Sequence, residues 1–255
     1  MKVYETGNIR NVVVMGHGGC GKTTLVEAIA YQTGITARMG KVTDGNTISD
    51  YDKEEQKRQF SISTSVVPVE FEDIKINFLD TPGYFDFVGE VEEACHAAGA
   101  AVIVINGKSG VEVGTLKAWE LCEKYKLPRL FFVTGMDDDQ ASYRKIVLEL
   151  NDRFGRKVAP FHVPIRENEK FVGFVNVVKM KGRRFINDTS EYEECDIPDY
   201  MDKHLNISRD ALVEAVADTS EELMERYFAG EEFSVEEIRA AMRTEVMEGS
   251  IVPVA

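Results

Sequence analysis

The sequence predicts an α/β fold, a mostly parallel sheet with flanking helices, carrying an α+β insertion before its last strand. Three observations support that prediction. Short apolar runs alternate with helical periodicity through the first 155 or so residues, which is the rhythm of βαβ units. The runs are apolar throughout rather than alternating, as strands buried on both faces of a parallel sheet must be. After residue 160 the rhythm changes to short alternating segments and then to a long helical stretch.

Taken in order, residues 9–15 form an apolar run ending in glycine, and a helix follows from Lys22 to about Thr33. Residues 35–65 are polar and weakly periodic; a loop of that length inside a compact domain is usually functional or mobile. Two strand-like runs, 66–71 and 74–79, flank a turn at Glu72 and Asp73. Helical patterns at 86–98, 112–125 and 139–153 separate the apolar runs 100–105 and 129–133. Segments within 161–185 look antiparallel, and 199–248 looks wholly helical. Thr219 with Glu222 and Ser234 with Glu237 have the spacing of capping boxes, and Gly230 sits where a helix would end. The final "IVPVA" reads as one more buried strand. The domain division expected from this pattern is a core of residues 1–157 and 249–255, with 158–248 inserted as an acidic α+β subdomain.

The chain has 255 residues, 44% of them hydrophobic, enough to bury a core without disulfides. No apolar run approaches the roughly 20 residues of a membrane helix, and the N-terminus carries no targeting pattern, so no membrane partner is expected. Cys20, Cys95, Cys122 and Cys195 lack metal-ligand spacing and read as thiols of a reducing cytoplasm. The formal charge is −14, but residues 1–184 hold 25 acidic and 25 basic side chains, and residues 185–255 hold 19 and 5. The excess is therefore confined to the C-terminal segment, either as a solvated helical face or as a subdomain with its own partner. That balance argues against a general nucleic-acid coat and against DNA as a partner.

"GHGGCGKT", Gly16 to Thr23, fits the phosphate-loop pattern and lies between a strand and a helix. It marks His17, Gly18, Gly19, Cys20, Gly21, Lys22, Thr23 and Thr24 as nucleotide-binding. Lys22 is placed to reach the β- and γ-phosphates, and Thr23 to put its hydroxyl on Mg2+. His17 and Cys20 are read mainly as backbone contributors. In "FLDTPGYFDF", Asp80 ends a strand, as a carboxylate acting on Mg2+ would, and Gly83 can offer its N–H to a γ-phosphate. In "FFVTGMD", Asp137 can accept from guanine N1–H and its amine, with Thr134, Gly135 and Met136 beside it; a plain turn is the other reading of this segment.

Together these residues resemble the elongation factor G family, the ribosomal translocation GTPases, most closely its divergent second paralogue. The resemblance rests on "GHGGCGKTTL", "EEQKR", "DTPGYFDFVGEVE", "GVEVGTLKAWE", "LPRLFFVTGMD", "FVGFVNVVKMKGRRF", "DIPDYM" and "SEELMERYFAGEEFSVEEI", spread over essentially the whole chain. It implies a P-loop G domain binding GTP or GDP with Mg2+, a GTPase activity, a cytoplasmic monomer, and the ribosome as partner through its factor-binding site and large-subunit stalk proteins. It also implies that this is the N-terminal part of a larger factor, since the chain stops before the family's last guanine-contacting box. Carried over residue by residue, the first-switch metal hydroxyl falls on Ser61, where the family has Thr. The water-positioning residue falls on Tyr84, where the family has His, making Lys22, Gly83 and Tyr84 the catalytic set. Gly19 replaces a polar loop residue, and Thr134 and Gly135 replace the Asn and Lys of the guanine box. Two other readings stay open: a GTP-binding, ribosome-associated switch with little or no hydrolysis, and a ribosomal protection protein of the tetracycline-resistance type.

Overall fold

The computed structural model describes residues 2–155, 157–168, 170–186 and 191–255. The chain forms two compact units. The first runs to Asn106 and takes in Glu112–Thr134; the second comprises Gly107–Val111 and Gly135–Ala255.

In the first unit, strands β1 (Ile9–Gly16), β2 (Ser65–Phe71), β3 (Ile74–Asp80), β4 (Ala100–Asn106) and β5 (Arg129–Thr134) lie in the order β2-β3-β1-β4-β5. β3, β1, β4 and β5 run parallel, and β2 pairs antiparallel with β3 through the turn at Glu72 and Asp73. Helices α1 (Lys22–Gln32), α3 (Val88–Ala97) and α4 (Val113–Tyr125) fill the crossovers. A cluster of Val14, Val26, Ala30, Val67, Val69, Phe78 and Val104 forms the core between α1 and the sheet. Parallel pairing brings the ends of β1 and β3 to the same edge, so Gly16 and Asp80 open two neighbouring loops.

The polar stretch 35–65 is more ordered than its composition predicts. It holds the short helix α2 (Lys53–Arg58), which Asp52 and Glu55 close with a reciprocal capping box. The D-x-x-E spacing was present in the sequence but lay among residues too polar to show periodicity.

In the second unit, α5 (Tyr143–Phe154) leads to β6 (Val158–Pro160), which pairs in parallel with the last strand, β11 (Val252–Val254). The chain leaves after β6 and returns at β11. Between them, β7 (His162–Glu167), β8 (Lys170–Asn176), β9 (Lys181–Phe185) and β10 (Tyr192–Cys195) form an antiparallel sheet in the order β10-β9-β8-β7. β10, "YEEC", escapes sequence reading because it has no apolar alternation. The helical stretch resolves into α6 (Asp202–Ala217), α7 (Glu221–Phe228) and α8 (Val235–Glu248). Ser234 and Glu237 do form a capping box. Thr219 does not: its hydroxyl donates back to the Val216 carbonyl, and Ser220, one residue later, caps α7 through the Leu223 N–H. Gly230 ends α7 at a φ of 75°, as expected. Among the described residues, no helix is long and apolar enough to cross a membrane.

Candidate functional site

The loop after β1 turns into α1 without a side-chain cap. Gly21, the residue before the helix, takes a left-handed φ of 97°, and no side chain accepts from the first turn of α1. Those N–H groups and the positive end of the helix are thus left for an anion. The Lys22 side chain is buried and donates to the Gly16 and His17 carbonyls at 3.2 and 3.0 Å. The amine is therefore held over the loop rather than free in solvent.

The loop after β3 comes in against it. Thr81 is buried and donates to the Val14 carbonyl at 2.7 Å, fixing the root of this segment to β1. A side chain at Gly83 would collide with Lys22 Nζ and would sit 2.7 Å from the Gly18 Cα. Only glycine lets the two loops approach this closely. Tyr84, 47% exposed, lays its ring over Gly18 and against Phe60, with ring centroids 4.7 Å apart.

Beneath this sits a buried polar cluster. The Thr23 and Ser61 hydroxyls are 3.2 Å apart, and Ser61 donates to Asp50 at 2.8 Å. Asp80 is 1% exposed, and neither carboxylate oxygen has a partner in hydrogen-bonding geometry, although the Thr23 and Ser49 hydroxyls lie close enough to favour its ionised form. Burial pushes its pKa up to about 6 despite those hydroxyls and Lys22, and the Asp50 charge pushes the same way. Burial likewise raises Asp50, offset by the Ser61 hydrogen bond. An orphaned buried carboxylate facing hydroxyls is an oxygen-rich, electronegative site of the kind a hard divalent cation takes. The donor set Thr23, Ser61 and Asp80 fits Mg2+, and Asp50 joins it.

Gly18, Gly19, Gly21, Lys22, Thr23, Thr24, Asp50, Phe60, Ser61, Gly83 and Tyr84 line one cleft of about 210 Å3. Other expected site residues lie elsewhere. Cys20 faces inward, 2% exposed within the apolar core, and burial raises its thiol pKa. His17 lies 3.6 Å from Glu112. Thr134 ends β5 and donates to the Cys20 carbonyl at 2.6 Å. Met136 is buried and Asp137 exposed, both in the second unit. Asp50 and Ser49 were missed in the sequence because they lie in the polar stretch and meet their partners only through the fold.

A family model for the elongation factor Tu GTP binding domain matches residues 7–252. The chain belongs to that family. A crystal structure of a protein from Thermus thermophilus is 37% identical, with a TM-score of 0.88, over 97% of this chain and 37% of its own. This member of the elongation factor Tu GTP binding domain family therefore spans just over a third of that relative. It is a GTP-binding domain of the translational GTPase type, built on an α/β fold.

Proposed function

We propose that the chain is the GTP-binding domain of an elongation factor G-like GTPase that acts on the ribosome, in elongation and translocation or in recycling. The observation that carries this reading is the convergence of Lys22, Thr23, Ser61 and Gly83 on one cleft, with the unpartnered carboxylate of Asp80 buried beneath it. Thr23 and Ser61 would hold Mg2+, with Asp80 and Asp50 behind them; the cation neutralises charge between the β- and γ-phosphates when bound. Lys22 exchanges its loop carbonyls for phosphate oxygens, and the Gly83 N–H donates to the γ-phosphate. Thr134 holds the loop beneath the nucleotide, while Asp137 reads the guanine edge. His17, Gly18, Gly19, Cys20, Gly21, Thr24 and Met136 complete the nucleotide-binding set, mostly through backbone.

The core would comprise residues 1–157 and 249–255. The inserted segment 158–248 carries the acidic helices, whose charge suits a protein partner, such as one at the ribosomal stalk, or solvent rather than RNA. A cytoplasmic monomer is the matching setting.

Tyr84 favours a second reading, a GTP-binding switch with little hydrolysis. A phenol can orient water but cannot carry the positive charge of an imidazolium, and here its ring is engaged with Phe60 and Gly18. A ribosomal protection protein of the tetracycline-resistance type would differ outside these residues. Adding ribosomes to the protein and measuring GTP turnover tests the first reading: stimulation supports it, and a rate equal to that of the protein alone overturns it in favour of the switch.

A further inference from the structure

Glu27 lies four residues after Thr23, on the same face of α1. It is 2% exposed. One carboxylate oxygen accepts from the Gly40 N–H at 2.7 Å, and the other from the Ile48 N–H at 2.6 Å. Two backbone donors on one buried carboxylate form a strong, directional clamp. Gly40 is fitted to it: a Cβ there would stand 2.8 Å from the Glu27 Oε1 and would strike the Asn46 carbonyl. Between the two clamped amides the chain closes on itself, with Lys41 N–H donating to the Asn46 side chain at 2.7 Å and a single 3-10 turn at Val42–Asp44. Ile48 packs against the core of the first unit.

The Ser49 carbonyl still accepts from Ser65 of β2 at 2.7 Å, but beyond it the restraints are of another kind. Ser61 is held by Asp50, and the Ile62 and Ser63 N–H groups donate to Glu55, so these residues of the segment hold one another. Thr64 N–H donates to Glu90 on α3, which follows the second switch. Glu27, by contrast, belongs to the helix that begins at the phosphate loop, and its partners require neither a nucleotide nor the second switch.

We propose that Glu27 is a positioning residue for the cation and γ-phosphate end of the site: it fixes residues 40–48 as the root of the first switch, sets where Asp50 and Ser61 meet Thr23, and leaves 50–63 as the part that nucleotide orders. This rests on the GTP-binding reading above. In the wild-type chain, amide exchange at Gly40 and Ile48 should stay slow without nucleotide, with GDP and with a slowly hydrolysed GTP analogue, whereas exchange across 50–63 should slow only with the analogue and Mg2+.

Glu27→Ala should speed exchange at both amides and weaken binding of the analogue with Mg2+ by roughly tenfold, while GDP changes by less than about twofold. Glu27→Gln keeps one acceptor and should fall between. Gly40→Ala, which attacks the clamp from the other side, should reproduce the alanine variant. Equal losses for GDP and analogue would show a merely structural role and overturn the proposal, as would unchanged exchange at Gly40 and Ile48 in a folded Glu27→Ala protein. A wild-type chain that binds no guanine nucleotide would defeat the proposed function, while the exchange measurement would still decide the clamp.

Discussion

The Thr134 hydroxyl donates to the Cys20 carbonyl at 2.6 Å, tying the end of β5 to the phosphate loop. The same oxygen lies 3.3 Å from the Ile105 carbonyl, and Gly21 packs against the threonine side chain. Where the resembling family places Asn, this chain therefore keeps a side-chain donor on the loop. Thr134→Val preserves the shape and removes the donor. It should weaken GDP and GTP alike by roughly fivefold, the worth of about 1 kcal/mol for one hydrogen bond; Thr134→Ser should bind as wild type. Isothermal titration of the three proteins checks this.

Asp80 predicts opposite effects on stability and binding. Its buried carboxylate lacks a partner, and its pKa is raised to about 6 from an ordinary value of 3.8. The folded state therefore binds this proton more readily than the unfolded state, and the penalty is present above about pH 6 and disappears as pH falls toward 4. Asp80→Asn should stabilise the nucleotide-free chain at neutral pH by about 2–3 kcal/mol while abolishing the Mg2+ dependence of nucleotide binding. Urea unfolding and a Mg2+ titration check the two halves separately.

His162 gives the reverse sign. Burial, with Arg183 nearby, lowers its pKa to about 4 from 6.5, and its ring packs edge-on against Phe161 and Phe174. Here the unfolded state binds the proton more readily. The stability that a neutral imidazole provides is complete above about pH 6.5 and is lost as pH falls to 4, by at most about 3 kcal/mol. The Asp80 and His162 slopes overlap and oppose each other, so only variants separate them. His162→Gln should flatten the acid-side loss of stability, and Asp80→Asn should steepen it, in unfolding curves measured from pH 4 to 7.

Tyr84→His restores an imidazole to the second switch. If the phenol limits turnover, ribosome-stimulated GTP hydrolysis should rise by roughly tenfold or more, with nucleotide affinity nearly unchanged. A single-turnover assay with labelled GTP measures it; an unchanged rate places the limit elsewhere.

The sequence made the phosphate loop, the strands around it and the candidacy of Asp80 and Gly83 legible, because glycine spacing and apolar runs are local signals; the strand order came from the fold. It did not reveal Glu27, Ser49, Asp50 or Glu55 as site-forming residues. Their partners stand apart in the chain, as with Asp50 and Ser61 or Glu27 and Ile48, and a polar stretch looks the same in sequence whether its side chains face water or each other. Thr134 read as a departure from the guanine box; its role emerged only when the fold placed its hydroxyl on the Cys20 carbonyl. The α7 cap was misplaced by one residue because Thr219 and Ser220 both carry hydroxyls, and only backbone geometry decides which of them faces the helix.

The most direct test of the central claim is a titration of this chain with GDP, GTP and ATP, each with Mg2+ and with chelator. Both guanine nucleotides should bind saturably and more tightly with Mg2+ than without, and ATP in large excess should not displace labelled GTP. Displacement by ATP at GTP-like concentrations, or guanine binding indifferent to Mg2+, would contradict that claim.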